Sequence, residues 1–109
     1  MAKGRTYSPV AVEAARLLGG RIRLARRERR WTLEELAERV GVSHVTMARI
    51  ERGDMTVRLG YALEAAALLG VALFHPDAER RTLDAERVDD RLALLPELVR
   101  RPREPDDDF

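Results

Sequence analysis

Apolar residues spaced three and four apart, broken at glycine and proline, divide the chain into helical stretches. Val10, Ala14, Leu17, Leu18, Ile22 and Ala25 mark the inner face of a helix from Val10 to about Arg30. Ser8 and Pro9 start it, serine as cap and proline at the first helical position. Gly19-Gly20 interrupts this stretch at about 1 kcal/mol per glycine relative to alanine, leaving one weakened helix or two helices meeting there. Thr32 with Glu35 forms a capping box for a second helix, whose inner face is Leu36, Ala37 and Val40 and whose stop is Gly41. Ser43 caps a third helix from His44 to about Arg52. Met47 and Ile50 turn inward with Val42, leaving His44, Val45, Thr46, Ala48, Arg49 and Arg52 exposed or partly so, and Gly53 ends the helix.

The pattern continues with a fourth helix, Val57 to Leu69, turning Leu59, Ala62, Leu63, Ala66 and Leu69 inward. Val71 to Phe74 is short enough to be packed coil or a small strand. After His75-Pro76-Asp77 a last helix begins near Asp77 or Thr82 and runs to Leu95, with Leu83, Val88, Leu92 and Leu95 as its stripe. Pro96, Pro102 and Pro105, mixed with charges and followed by Asp106, Asp107, Asp108 and Phe109, predict an extended or disordered tail. The expected fold is all-α, of about five helices with a C-terminal helix and that tail. Its expected organisation is a basic arm at 1–8, a helical domain at 9–74, a C-terminal helix for dimer or partner contact at 75–95 and a Pro-rich acidic tail at 96–109.

Length and composition narrow the function. A chain of 109 residues buries one modest core, and its few aromatics leave Leu, Ala and Val to build it. Without cysteine there are no disulfides, thiol nucleophiles or thiolate zinc sites, and two histidines far apart in sequence make no metal site. No glycine-rich phosphate loop or nucleophile–base pair appears, so no catalytic residue, cofactor or metal is expected. No apolar run approaches the roughly 20 residues of a membrane span and no secretory signal opens the chain, so a cytoplasmic location is expected. The net charge of +1 conceals an asymmetry: residues 1–60 hold 13 Lys+Arg against 7 Asp+Glu, whereas residues 61–109 hold 7 against 12. The first part suits a polyanion, although an arginine bias over the whole chain also fits a genome rich in G and C.

Two short helices joined at Gly41, with polar side chains on the outer side of the second, follow the helix-turn-helix pattern. The stretch L-x-x-R-I-R-x-x-R-R-E-R-R-W-T-L-E-E-L-A-E-R-V-G-V-S from Leu18, and then I-E-R-G, resembles the Xre/lambda-repressor family. The resemblance covers Leu18 to about Phe74. It implies a structural ion pair between Arg26 and Glu51, base contacts from His44, Val45 and Arg49, and phosphate contacts from Thr32, Thr46, Arg52, Thr56 and Arg58. Leu33 stands where the family commonly has a DNA-contacting glutamine, so that contact is expected to be missing.

A narrower resemblance lies in the flanks. Tyr7-Ser8-Pro9, Trp31-Thr32 and the acidic C-terminal extension are similar to antitoxin subunits that repress and neutralise HipA-type serine/threonine kinase toxins. It implies a homodimer on a palindromic double-stranded operator, a HipA-like kinase as partner, and Phe109 as the tail residue that contacts it. Plainer readings stand beside these. The arginines of the first helix suit a solvated face, Trp31 suits a core plug, His75 a loop and the aspartate run a solubilising tail. An ordinary Xre regulator without a toxin, or an interaction module that inhibits a kinase with incidental DNA binding, are the alternatives.

Overall fold

The computed structural model describes residues 6–96, and among them are five helices and no strand. These are α1 (Pro9–Glu28), α2 (Leu33–Val40), α3 (His44–Glu51), α4 (Leu59–Leu68) and α5 (Ala78–Leu94). The chain divides between Leu73 and Phe74 into two compact units, the first holding α1 to α4 and the second α5.

The Ser8 hydroxyl accepts the Ala11 N–H at 3.2 Å, and α1 then runs unbroken through both glycines. Gly19 is buried where α1 crosses the end of α3. A β-carbon there would collide with the Ile50 carbonyl oxygen and lie 2.7 Å from that of Glu51. The glycine therefore trades helix propensity for close approach of two backbones, whereas Gly20 faces open space. This crossing also corrects the expected inner face of α1. Val10, Ala14 and Leu17 are exposed, and the covered stripe is Ala11, Ala15, Leu18, Ile22 and Ala25, about one position round the helix. Adjacent apolar pairs at Val10-Ala11, Ala14-Ala15 and Leu17-Leu18 make the face of α1 ambiguous by period alone, and Gly19 lies on the side that meets α3.

Both halves of the α2 capping box form: the Thr32 hydroxyl accepts the Glu35 N–H at 3.0 Å, and the Thr32 N–H donates to Glu35 Oε1 at 2.8 Å. Gly41 ends α2 at φ +90°, a conformation that a side chain opposes. Ser43 caps α3 through the Thr46 N–H. Ile22, Leu36, Ala37, Met47, Ile50, Ala65, Ala66 and Leu69 form the core. Trp31 packs against it, with the Arg39 guanidinium 4.1 Å from the ring centroid.

α4 begins two residues later than its pattern suggests, and the expectations for Leu59 and Leu63 are corrected. Both are exposed, while Ala65 and Ala66 are buried. The stretch LGYALEAAALL is apolar nearly all round, so periodicity does not select a face. Packing instead buries the small side chains of Ala65 and Ala66. Val71 to Phe74 is coil, not strand, tied at its start by the Val71 N–H to the Ala66 carbonyl at 2.8 Å.

In the second unit Asp77 caps α5 through the Arg80 N–H, and none of the helix's residues is buried. Leu83, Val88, Leu92 and Leu95 are all exposed. Residues 1–5 of the arm and residues 97–109 of the tail, including Phe109, lie outside the described residues. Among the described residues no helix is long and apolar enough to cross a membrane, and no group of three or more acidic, His or Cys side chains could hold a metal ion.

Candidate nucleic-acid interface

One buried ion pair joins α1 to the end of α3. Arg26 Nε meets Glu51 Oε2 at 2.7 Å, Nη2 meets Oε1 at 3.0 Å, and Nη1 donates to the Trp31 carbonyl at 2.8 Å. α1, α3 and the turn before α2 are thus joined through one guanidinium. Its hydrogen bonds with Glu51 raise the Arg26 pKa against the opposing effect of burial, so the cation is held charged. A pair of this kind contributes geometry more than net stability, because desolvation offsets most of its attraction.

The outer side of α3 then follows from its inner side. Met47 and Ile50 are buried three residues apart, which turns His44, Val45 and Arg52 to solvent and leaves Arg49 and Thr46 half-exposed. His44 and Val45 occupy the first turn, at the positive end of the helix. The Thr46 hydroxyl accepts from the Ser43 hydroxyl at 3.1 Å. Thr32 is exposed at the head of α2, though its side chain is already used in the capping box. Leu33 packs against the core and presents no polar group.

Arg49 is not a free arm. Its Nε donates to Asp54 Oδ2 at 2.8 Å and its Nη2 to the Thr56 hydroxyl at 2.7 Å. Thr56 in turn donates its N–H at 2.8 Å and its hydroxyl at 2.6 Å to Asp54 Oδ1. The three side chains close a ring across the end of α3 and the following loop. Arg49, and then Thr56, hold the Asp54 carboxyl well below the usual carboxylate range. The structure therefore brings together Arg49 and Thr56, which the resemblance places on bases and phosphates separately. Asp54 is the member that sequence reasoning missed. Its signal was present in the Asp-x-Thr spacing, which favours a turn in which the aspartate accepts the N–H two residues on.

Arg58 occupies the N-cap of α4 with no side-chain cap bond, leaving the first N–H groups of that helix without a side-chain acceptor. Its guanidinium lies 5.7 Å from the Tyr61 ring centroid. Beside α3, Arg23, Leu33, Ala48 and Arg52 line a cleft together with Arg26 and Glu51.

A short capped helix, a left-handed glycine turn and a second helix with a polar outer face define a helix-turn-helix DNA-binding unit. The chain belongs to a helix-turn-helix domain family, whose pattern it matches over residues 17–83. No curated protein and no solved structure gives a significant match.

Proposed function

We propose that the protein is a sequence-specific regulator of transcription, a repressor of the Xre type, which lays α3 in the major groove of a double-stranded operator. The observation that carries this reading is the division of α3 into two sides. Met47 and Ile50 are buried in the core, while His44 and Val45 are exposed and Arg49 half-exposed on a capped helix, none of them with a core role. His44 would donate to a base acceptor, Val45 would touch a thymine methyl, and Arg49 would grip guanine O6 and N7. Thr32, Thr46, Arg52 and Arg58 would fix the register on phosphates, aided by the uncapped N–H groups of α4.

Two copies, paired through the apolar stripe of α5, would address half-sites about 34–36 Å apart. An exposed row of Leu83, Val88, Leu92 and Leu95 supports that pairing. Selection from a random duplex pool by the full chain tests the function. Enrichment of one palindromic motif with half-sites about one helical turn apart supports it; recovery of unrelated sequences overturns it.

A finer reading makes the protein the antitoxin of a HipA-like kinase, with the acidic part from residue 61 onward as the kinase-binding surface. It is supported by the charge division between the two parts of the sequence and by the flanking Tyr7-Ser8-Pro9 and Trp31-Thr32 resemblance. Co-purification with the kinase, and its loss on deleting residues 96–109, would support this role and the Phe109 contact. Intact binding without the tail removes the Phe109 assignment.

A further inference from the structure

A base-reading arginine must be both charged and correctly aimed, and on an isolated helix its long side chain samples many rotamers. Here two groups outside α3 limit that freedom. The Nε–Nη2 edge of Arg49 is taken up by Asp54 Oδ2 and the Thr56 hydroxyl, while Nη1 has no protein partner among the described residues. The terminal Nη1–Nη2 fork is the edge suited to the two acceptors of guanine. Asp54 is itself fixed, since its other oxygen accepts both the N–H and the hydroxyl of Thr56, and its own N–H donates to the Arg49 carbonyl at 3.0 Å.

We propose that Asp54 and Thr56 are positioning residues for base recognition, which hold the Arg49 guanidinium by one edge so that its terminal fork meets a guanine already ordered. The proposal rests on the reading of Arg49 as a base contact. It gives Thr56 a different task from the phosphate contact implied by resemblance, because its hydroxyl is already engaged as both donor and acceptor. It also accounts for an acidic side chain beside a surface meant for a polyanion: the carboxylate faces the arginine.

Ordering one flexible side chain on binding costs about 0.5–1.5 kcal/mol, so its release from Asp54 should reduce discrimination roughly 2- to 10-fold. Loss of the guanine contact itself should cost roughly 5- to 150-fold. The experiment uses the duplex enriched from a random pool, together with duplexes carrying every single base-pair change, and measures affinities of the full chain and its variants. Comparing duplexes of equal charge cancels the general gain in affinity from deleting a carboxylate. R49A should lose preference at one base pair. D54A and T56V should lose part of the preference at the same base pair and at no other, with the rest of the profile kept. The double variant R49A/D54A should match R49A alone.

If R49A loses that preference and both D54A and T56V keep it, positioning is refuted while the reading of Arg49 survives. If R49A itself keeps the full profile, both fall. A sharper preference in D54A would show that the ring withholds Arg49 instead of presenting it, and would also overturn the proposal. T56V retains the Asp54 carboxylate, so a selective loss in T56V remains decisive should D54A fold poorly.

Discussion

Replacing Glu51 with alanine removes both carboxylate oxygens from a guanidinium that has little water to replace them. Arg26 is only 8% exposed, and two of its three hydrogen bonds go to Glu51. Breaking one side of a buried pair typically costs about 3–5 kcal/mol, because the remaining charge stays buried without compensation. For a domain this small, each kcal/mol corresponds to about 4–8 °C in melting temperature, so E51A should melt at least about 12 °C lower. Urea unfolding followed by far-UV circular dichroism measures the free-energy change directly. The double substitution R26M/E51L removes both charges and should cost less than E51A alone, since no orphan cation is left. A loss below about 1 kcal/mol in E51A, the range of an exposed pair, would refute the view that this ion pair fixes α3 on α1.

The two neighbouring glycines of α1 should respond in opposite directions. Gly19→Ala drives a β-carbon into the α3 carbonyls and should destabilise by about 1–3 kcal/mol, whereas Gly20→Ala should stabilise by roughly 0.5–1 kcal/mol, both read by thermal melting. Arg58→Ser should add a helix cap worth about 1 kcal/mol while weakening duplex binding and lowering its salt dependence, a separation that paired melting and salt titrations would show. The folded-state pKa of Asp54 lies below its unfolded value of 3.8, so its contribution is present above that value and is lost as pH falls through the folded pKa. D54N should therefore lower stability at neutral pH and flatten the acid limb of the stability curve below about pH 4.

Much of the fold is legible in the sequence because its punctuation is local. Thr32 with Glu35, Gly41 and Ser43 each satisfy or release particular backbone groups, and these requirements hold wherever the segment sits. Which side of a helix is covered is a different question. In α1 and α4 apolar residues occupy more than one side, so the covered stripe is decided by partners distant in sequence. Gly19 illustrates the difference: its cost to helix propensity is local, but its reason lies in the carbonyls of Ile50 and Glu51 more than 30 residues away. The candidate site divides in the same manner. His44 and Val45 follow from the cap at Ser43 and the buried Met47, whereas the bond from Arg49 to Asp54 depends on the path of the loop after Gly53, at φ +82°. The pairing of Arg26 with Glu51 is legible only through family resemblance, since 25 residues separate the two.

In the proposed function, the outer side of α3 and the loop following it form the DNA surface. Amide chemical-shift mapping, with the duplex enriched by selection titrated into the isotope-labelled protein, tests it most directly. The largest changes should fall on residues 43–49 and 53–58 and on the head of α2 near Thr32. Changes concentrated on α5, with those segments unmoved at saturating duplex, would contradict it.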